Sequence, residues 1–172
     1  MDDTFRRPAE LTMFANNIYC KFGKLVTLAT AFEDDCRVLA AHVGIKNNRT
    51  ILNSEEELQA FCEQLEKTPL YKNIKTAFPK NSFLFTELNP AREKRNLIAH
   101  EMSKSFFSDV DTNPFIKSLE TEIPACALAL ATALNTTECL LFFMNNKELP
   151  PNRHSEVYIK KITSWVDDNI QD

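Results

Sequence analysis

From about Pro8 to Val43, the apolar residues Leu11, Phe14, Ile18, Phe22, Leu25, Ala29, Phe32, Cys36, Leu39 and Val43 follow one another in steps of three and four. That spacing is one continuous stripe along an α-helix, and no β-strand can present it on a single face. At about 1.5 Å per residue the helix is roughly 50 Å long, more than a domain of this size needs. A bend near Gly23, or use of one end for a partner, is therefore expected. The stripe reads as the seam of a helical bundle, with Gly44 as the stop and His42 as an ordinary C-terminal helix residue.

Similar patterning continues along the chain. Asn47, Asn48 and Arg49 form a polar connection, and Ser54 with Glu57 three residues later is a capping box that starts a helix burying Leu58, Phe61, Cys62 and Leu65. Thr68-Pro69 opens a short helical piece with Leu70, Ile74 and Phe78, ended by Pro79-Lys80-Asn81. Ser82 to Leu88 reads as one or two helical turns, or as a loop. Phe106 and Phe107 close the following helix, and Ser108 to Pro114 is a polar loop ending in a helix-start proline.

From Pro114 to about Asn145 runs a helix apolar nearly all round, expected at the centre of the bundle, with Pro124 as a kink or break. Pro124 and Asn135-Thr-Thr-Glu138 leave too short an apolar run for a membrane span of about 20 residues. After Leu149-Pro-Pro-Asn152, a final helix from about Ser155 carries Val157, Ile162, Trp165, Val166 and Ile170 on a narrow apolar side, with His154 as a surface residue at its start. The predicted fold is all-α, four principal helices with short accessory ones, in one domain covering residues 1–172.

Composition closes off several chemistries. Only two glycines, Gly23 and Gly44, occur in 172 residues, so no glycine-rich loop cradles a phosphate and P-loop and Rossmann readings are excluded. The net charge of -4 argues against broad binding of duplex nucleic acid but leaves room for a local basic site. Cys20, Cys36, Cys62, Cys126 and Cys139 are odd in number and widely spaced, without a Cys-x-x-Cys pair. They read as reduced core thiols rather than zinc ligands, and with a charged Met1–Pro8 in place of an apolar leader they point to a cytoplasmic protein with no export.

The stretch with chemistry is Asn89 to Lys104, which places Arg95, Asn96 and His100 close together, beside a local basic cluster of Arg92, Lys94 and Arg95. Asn89-Pro90 reads as the helix start. Asn96 and His100, four apart, share a face, while Arg95 and His100, five apart, stand roughly 140° around a regular helix. Histidine acts as acid or base at neutral pH, and arginine is a permanent charge whose planar fork fits phosphate oxygens.

Arg95-Asn96-Leu97-Ile98-Ala99-His100 resembles the Arg-polar-x-x-x-His signature of the HEPN superfamily. The resemblance implies a helical bundle that often dimerises with two motifs facing each other, and in many members a metal-independent endoribonuclease without a cofactor. It makes Arg95, Asn96 and His100 the candidate catalytic residues, with Arg92, Glu101 and Lys104 as substrate-binding candidates. RNA, a second copy of the chain and a protein partner such as an antitoxin are the implied partners, in a toxin or phage-defence setting. One branch carries a tyrosine two residues after the histidine as a nucleotidylation target; here Met102 stands there. Other members only bind RNA or nucleotides, or act as structural parts, and the acidic net charge leans toward those readings or toward a protein-binding scaffold.

Overall fold

The computed structural model describes residues 13–48, 52–78, 82–102, 114–150 and 152–168, and every regular element among them is helical. In chain order these are α1 (Met13–Asn47), α2 (Glu55–Glu66), α3 (Leu70–Ala77), α4 (Phe83–Asn96), a π-helical turn at Leu97–Met102 that continues α4, α5 (Pro114–Asn146) and α6 (Asn152–Asp167). The protein is all-α, and its longest helices are the two that periodicity marks out. Of the remaining expectations, Leu11, Arg49, Pro79-Lys80-Asn81, Lys104, Phe106, Phe107, the Ser108–Asn113 loop and Ile170 lie outside the described residues.

The α1 stripe is buried as the spacing requires: Ile18, Leu25, Ala29, Phe32, Cys36 and Leu39 are all interior. Against it pack Ile123, Cys126, Ala127, Leu130 and Leu134 of α5, Leu88 and Ala91 of α4, Ile98 of the π turn and Val166 of α6, in one continuous cluster. A smaller cluster forms where α2 and α3 meet α1, around Leu39, Ala40, Leu65 and Ala77. The central position expected for α5 is therefore shared with α1.

Helix ends follow their local chemistry in two places. Ser54 Oγ accepts from the Glu57 N–H at 3.2 Å and the Glu57 carboxylate accepts from the Ser54 N–H at 3.2 Å, completing the capping box at the start of α2. The fully buried Asn73 donates to the carbonyls of Leu65 and Thr68, both at 3.3 Å, and so fixes the corner between α2 and α3. At the end of α5, Lys147 adopts φ 64°, the left-handed conformation that glycine normally supplies at this position. Lys147→Gly should therefore stabilise the protein by roughly 0.5–1 kcal/mol, a rise in Tm of about 1–4 °C in a thermal melt.

Several sequence expectations are corrected. Gly44 does not stop α1, which continues to Asn47; it is instead a close-approach point, where a β-carbon would overlap the Phe61 ring of α2. The stop comes at Asn48, whose side chain donates to the Gly44 carbonyl at 2.8 Å. α4 begins at Phe83, capped by Ser82, so the Ser82–Leu88 segment is helical and Asn89-Pro90 lies inside the helix rather than starting it. Pro90 and Thr86 are both exposed, so the carbonyl that Pro90 leaves without an N–H partner is solvated. Pro124 is likewise exposed within an unbroken α5.

Leu58 of α2 and Val157 and Trp165 of α6, expected on buried sides, are exposed. On length and composition, Glu120–Asn146 of α5 is apolar enough to cross a membrane, contrary to the sequence reading, because a few Asn and Thr residues lower mean hydropathy only modestly. The same apolarity serves a core helix, and Ile123, Cys126, Leu130, Ala131 and Leu134 are buried here. α6 folds back along α5, where Tyr158 donates to Glu138 at 2.6 Å. Its C-terminal carbonyls at Trp165 and Asp168 accept from the Lys24 ammonium of α1 at 2.6 and 2.9 Å, a cation where the helix dipole is negative.

Candidate functional site

Arg95 and Asn96 are the last two residues of α4, and His100 follows in the π turn. Ile98 anchors that turn: it is fully buried against the α1–α5 core, with Leu97 packed beside it, while His100 stands exposed on the outer side. A π turn hydrogen-bonds residues five apart rather than four, and such turns recur at functional sites. The wider turn reduces the angular offset between positions five apart, the spacing of Arg95 and His100. Glu101 lies in the same turn.

Arg95 reaches across to α1. Its Nε and Nη2 both donate to Glu33 Oε2, at 3.0 and 2.5 Å, and Nη1 lies 3.4 Å from Asn96 Oδ1. The pair is half-buried, with the side chains 25% and 22% exposed. A guanidinium carries five N–H groups. Glu33 engages two and Asn96 one, so two on the Nη end remain without a partner among the described residues.

Glu33 is the residue that motif reading missed. It stands 62 positions from Arg95, and its only trace in the sequence is the run Glu33-Asp34-Asp35, three carboxylates in the middle of an apolar stripe. Each has a different task. Arg37 lies 2.6 Å from Asp34 and 3.9 Å from the second oxygen of Glu33, so one carboxylate sits between two arginines. Asp35 turns the other way, accepting from the Thr137 hydroxyl of α5 at 2.6 Å, and its burial raises its pKa above the ordinary carboxylate value.

The other cations near the motif are also engaged. Lys94 donates to Glu122 of α5 at 2.6 Å, and that hydrogen bond raises the ammonium pKa. Arg92 donates through Nε to Asn89 Oδ1 at 2.9 Å, lies 3.4 Å from Glu93, and places its guanidinium 5.6 Å from the centre of the Tyr71 ring. Of the predicted site residues, Arg95 and Asn96 are therefore brought together by a hydrogen bond, Arg92 lies one turn before them, and His100 one turn after.

Nucleophilic cysteine chemistry finds little support in the core thiols. All five cysteines are free; Cys36 is buried and its thiol pKa pushed up by burial, and Cys126 is pushed up to about 11 for the same reason. Among the described residues no group of three His, Cys, Asp or Glu side chains is placed to hold a metal ion. What the arrangement offers is an exposed imidazole, a guanidinium held along one edge with N–H groups to spare, and an amide beside that guanidinium. No family model matches this chain, and neither the curated proteins nor the solved structures include a match to it.

Proposed function

We propose that the chain is a HEPN-like, metal-independent endoribonuclease that acts as a homodimer, with His100 as acid/base, Arg95 as phosphate clamp and Asn96 as the orienting amide. The observation that carries this reading is an exposed His100 five positions after an Arg95 whose guanidinium Glu33 holds along one edge, with N–H groups left over among the described residues. In the reaction one imidazole takes the proton from a ribose 2′-OH, and that oxygen attacks the adjacent phosphorus. A second, protonated imidazole gives its proton to the departing 5′-oxygen, leaving a 2′,3′-cyclic phosphate. Arginine N–H groups stabilise the charge that builds on the phosphoryl oxygens.

One motif histidine per chain supplies either the acid or the base, so the pair requires two chains with their motif turns facing each other. Light scattering at micromolar concentration should accordingly give a dimer. A strictly monomeric species removes the composite site. Incubation of the purified protein with total RNA and with transfer RNA in the presence of chelator tests the activity, and intact RNA sinks it. A toxin or phage-defence role predicts toxicity on expression, relieved by His100→Ala.

A second reading is favoured by the Arg95–Glu33 pair itself. A half-buried ion pair between α4 and α1, with Lys94–Glu122 between α4 and α5, is also what a helical scaffold uses to fix the register of its helices. On that reading the motif is a structural contact in a protein-binding or non-catalytic RNA-binding bundle. RNA binding without cleavage, or neither, is its expected result.

A further inference from the structure

Charge is not spread evenly over this acidic chain. Between Glu66 and Glu87 the sequence holds Lys67, Lys72, Lys75 and Lys80 and no Asp or Glu, in a protein whose net charge is -4. The segment is α3 with its two flanks. Leu70, Asn73, Ile74 and Ala77 form the buried side of α3, which leaves Tyr71, Lys72 and Lys75 on the outer arc. Lys67, Lys72 and Lys75 are exposed and make no ion pair among the described residues, unlike Lys94, Arg92 and Arg95.

Tyr71 joins this arc to α4. It is 37% exposed, packs edge-on against Phe85 with ring centroids 6.0 Å apart and planes at 81°, and receives the Arg92 guanidinium over its ring. Along α4, Phe85, Asn89, Arg92 and Asn96 recur in steps of four, three and four, so they form one half-buried row. The row begins at the aromatic pair and ends at the motif.

From this placement we propose that the outer arc of α3 and the adjoining row of α4 form a binding surface for single-stranded RNA. Unpaired lysines take successive phosphates and the Tyr71 ring offers a stacking platform for a base, with Arg92 leading the strand toward Arg95 and His100. Aromatic faces interleaved with cations suit a flexible strand whose bases are free to stack, whereas duplex RNA hides its bases and requires a broad basic field that this protein lacks. The choice of RNA over single-stranded DNA rests on the ribonuclease reading; the surface does not.

The test is fluorescence anisotropy of the full-length His100→Ala protein, which leaves RNA uncut on that reading, with a labelled single-stranded RNA dodecamer across a salt series. Lys72→Gln with Lys75→Gln should weaken binding about tenfold at moderate salt and flatten the slope of log affinity against log salt by about 1.4, two contacts at roughly 0.7 each. Tyr71→Ala should cost about tenfold with the slope unchanged, and Tyr71→Phe should bind as the parent does. All three positions are exposed, and circular dichroism confirms that each variant is folded.

Unchanged affinity in the lysine and Tyr71→Ala variants overturns the proposal, as does tighter binding of duplex RNA. Tighter binding of single-stranded DNA through these same residues counts against the ribonuclease reading and keeps the surface. Competition by polyglutamate as effective as by RNA also overturns it, because charge alone would then be read. RNA bound through these residues but left intact by the wild-type protein removes the ribonuclease reading and keeps the surface. Cleavage with unaltered KM in the lysine and tyrosine variants does the reverse.

Discussion

His100→Ala should slow RNA cleavage by about 10²–10⁴-fold, the contribution of a positioned general acid or base, and leave the melting temperature within about 1 °C of the parent. Function and stability separate here because the imidazole is exposed on the outer side of the π turn, while Ile98, two residues earlier, does the anchoring. Cleavage by the parent should persist in EDTA and yield a 2′,3′-cyclic phosphate end, detectable by its resistance to phosphatase until acid opens the ring. A His100→Ala protein that melts many degrees lower, from a parent that never cuts RNA, identifies the histidine as a structural contact. The scaffold reading then replaces the enzyme.

The parts of this molecule that were legible in its sequence are those set by local periodicity and local capping. Ten apolar residues at steps of three and four cannot be buried together except on a helix, so α1 was readable, as was the Ser54–Glu57 box, whose two hydrogen bonds lie within one turn. Gly44 and Pro90 were misread because each residue has two uses that local sequence does not distinguish. Glycine ends helices through its backbone freedom, but it also lets two helices touch, and Gly44 meets Phe61 from a different helix. Proline starts helices, but it is tolerated within one where the orphaned carbonyl is solvated.

The candidate site was half legible for a related reason. Arg95, Asn96 and His100 lie within six positions, so their proximity follows from the chain itself. Which partner holds the arginine does not, because Glu33 arrives from another helix and only tertiary packing decides that it, rather than Asp34 or Asp35, faces α4. The basic arc on α3 was obscured in another way. A net charge of -4 averages an acid-free stretch with an acidic remainder, and steering of a charged ligand depends on the local field rather than on the sum.

Substitutions at Arg95 and Glu33 give the sharpest separation of the two readings. Arg95→Ala should abolish cleavage, and it should also destabilise the fold by about 1–2 kcal/mol, since it leaves a half-buried Glu33 carboxylate without its main partner. In a chain of this size that is a fall in Tm of roughly 2–8 °C. Glu33→Gln keeps a hydrogen-bond acceptor for one N–H but removes the charge that holds the guanidinium edge. A clamp that depends on orientation should then lose activity about tenfold or more through kcat, with the fold nearly intact. Arg95→Lys should lose most activity too, because an ammonium held by Glu33 has no planar fork left to offer a phosphate. The double change Arg95→Ala with Glu33→Ala removes both charges together, so its stability should recover toward the parent while cleavage stays absent. If Arg95→Lys instead cuts RNA as fast as the parent, the residue supplies only charge and the fork argument is wrong. If the double variant recovers both stability and every measurable function of the parent, the pair is a structural bolt between α4 and α1, and the chemistry of this protein lies elsewhere.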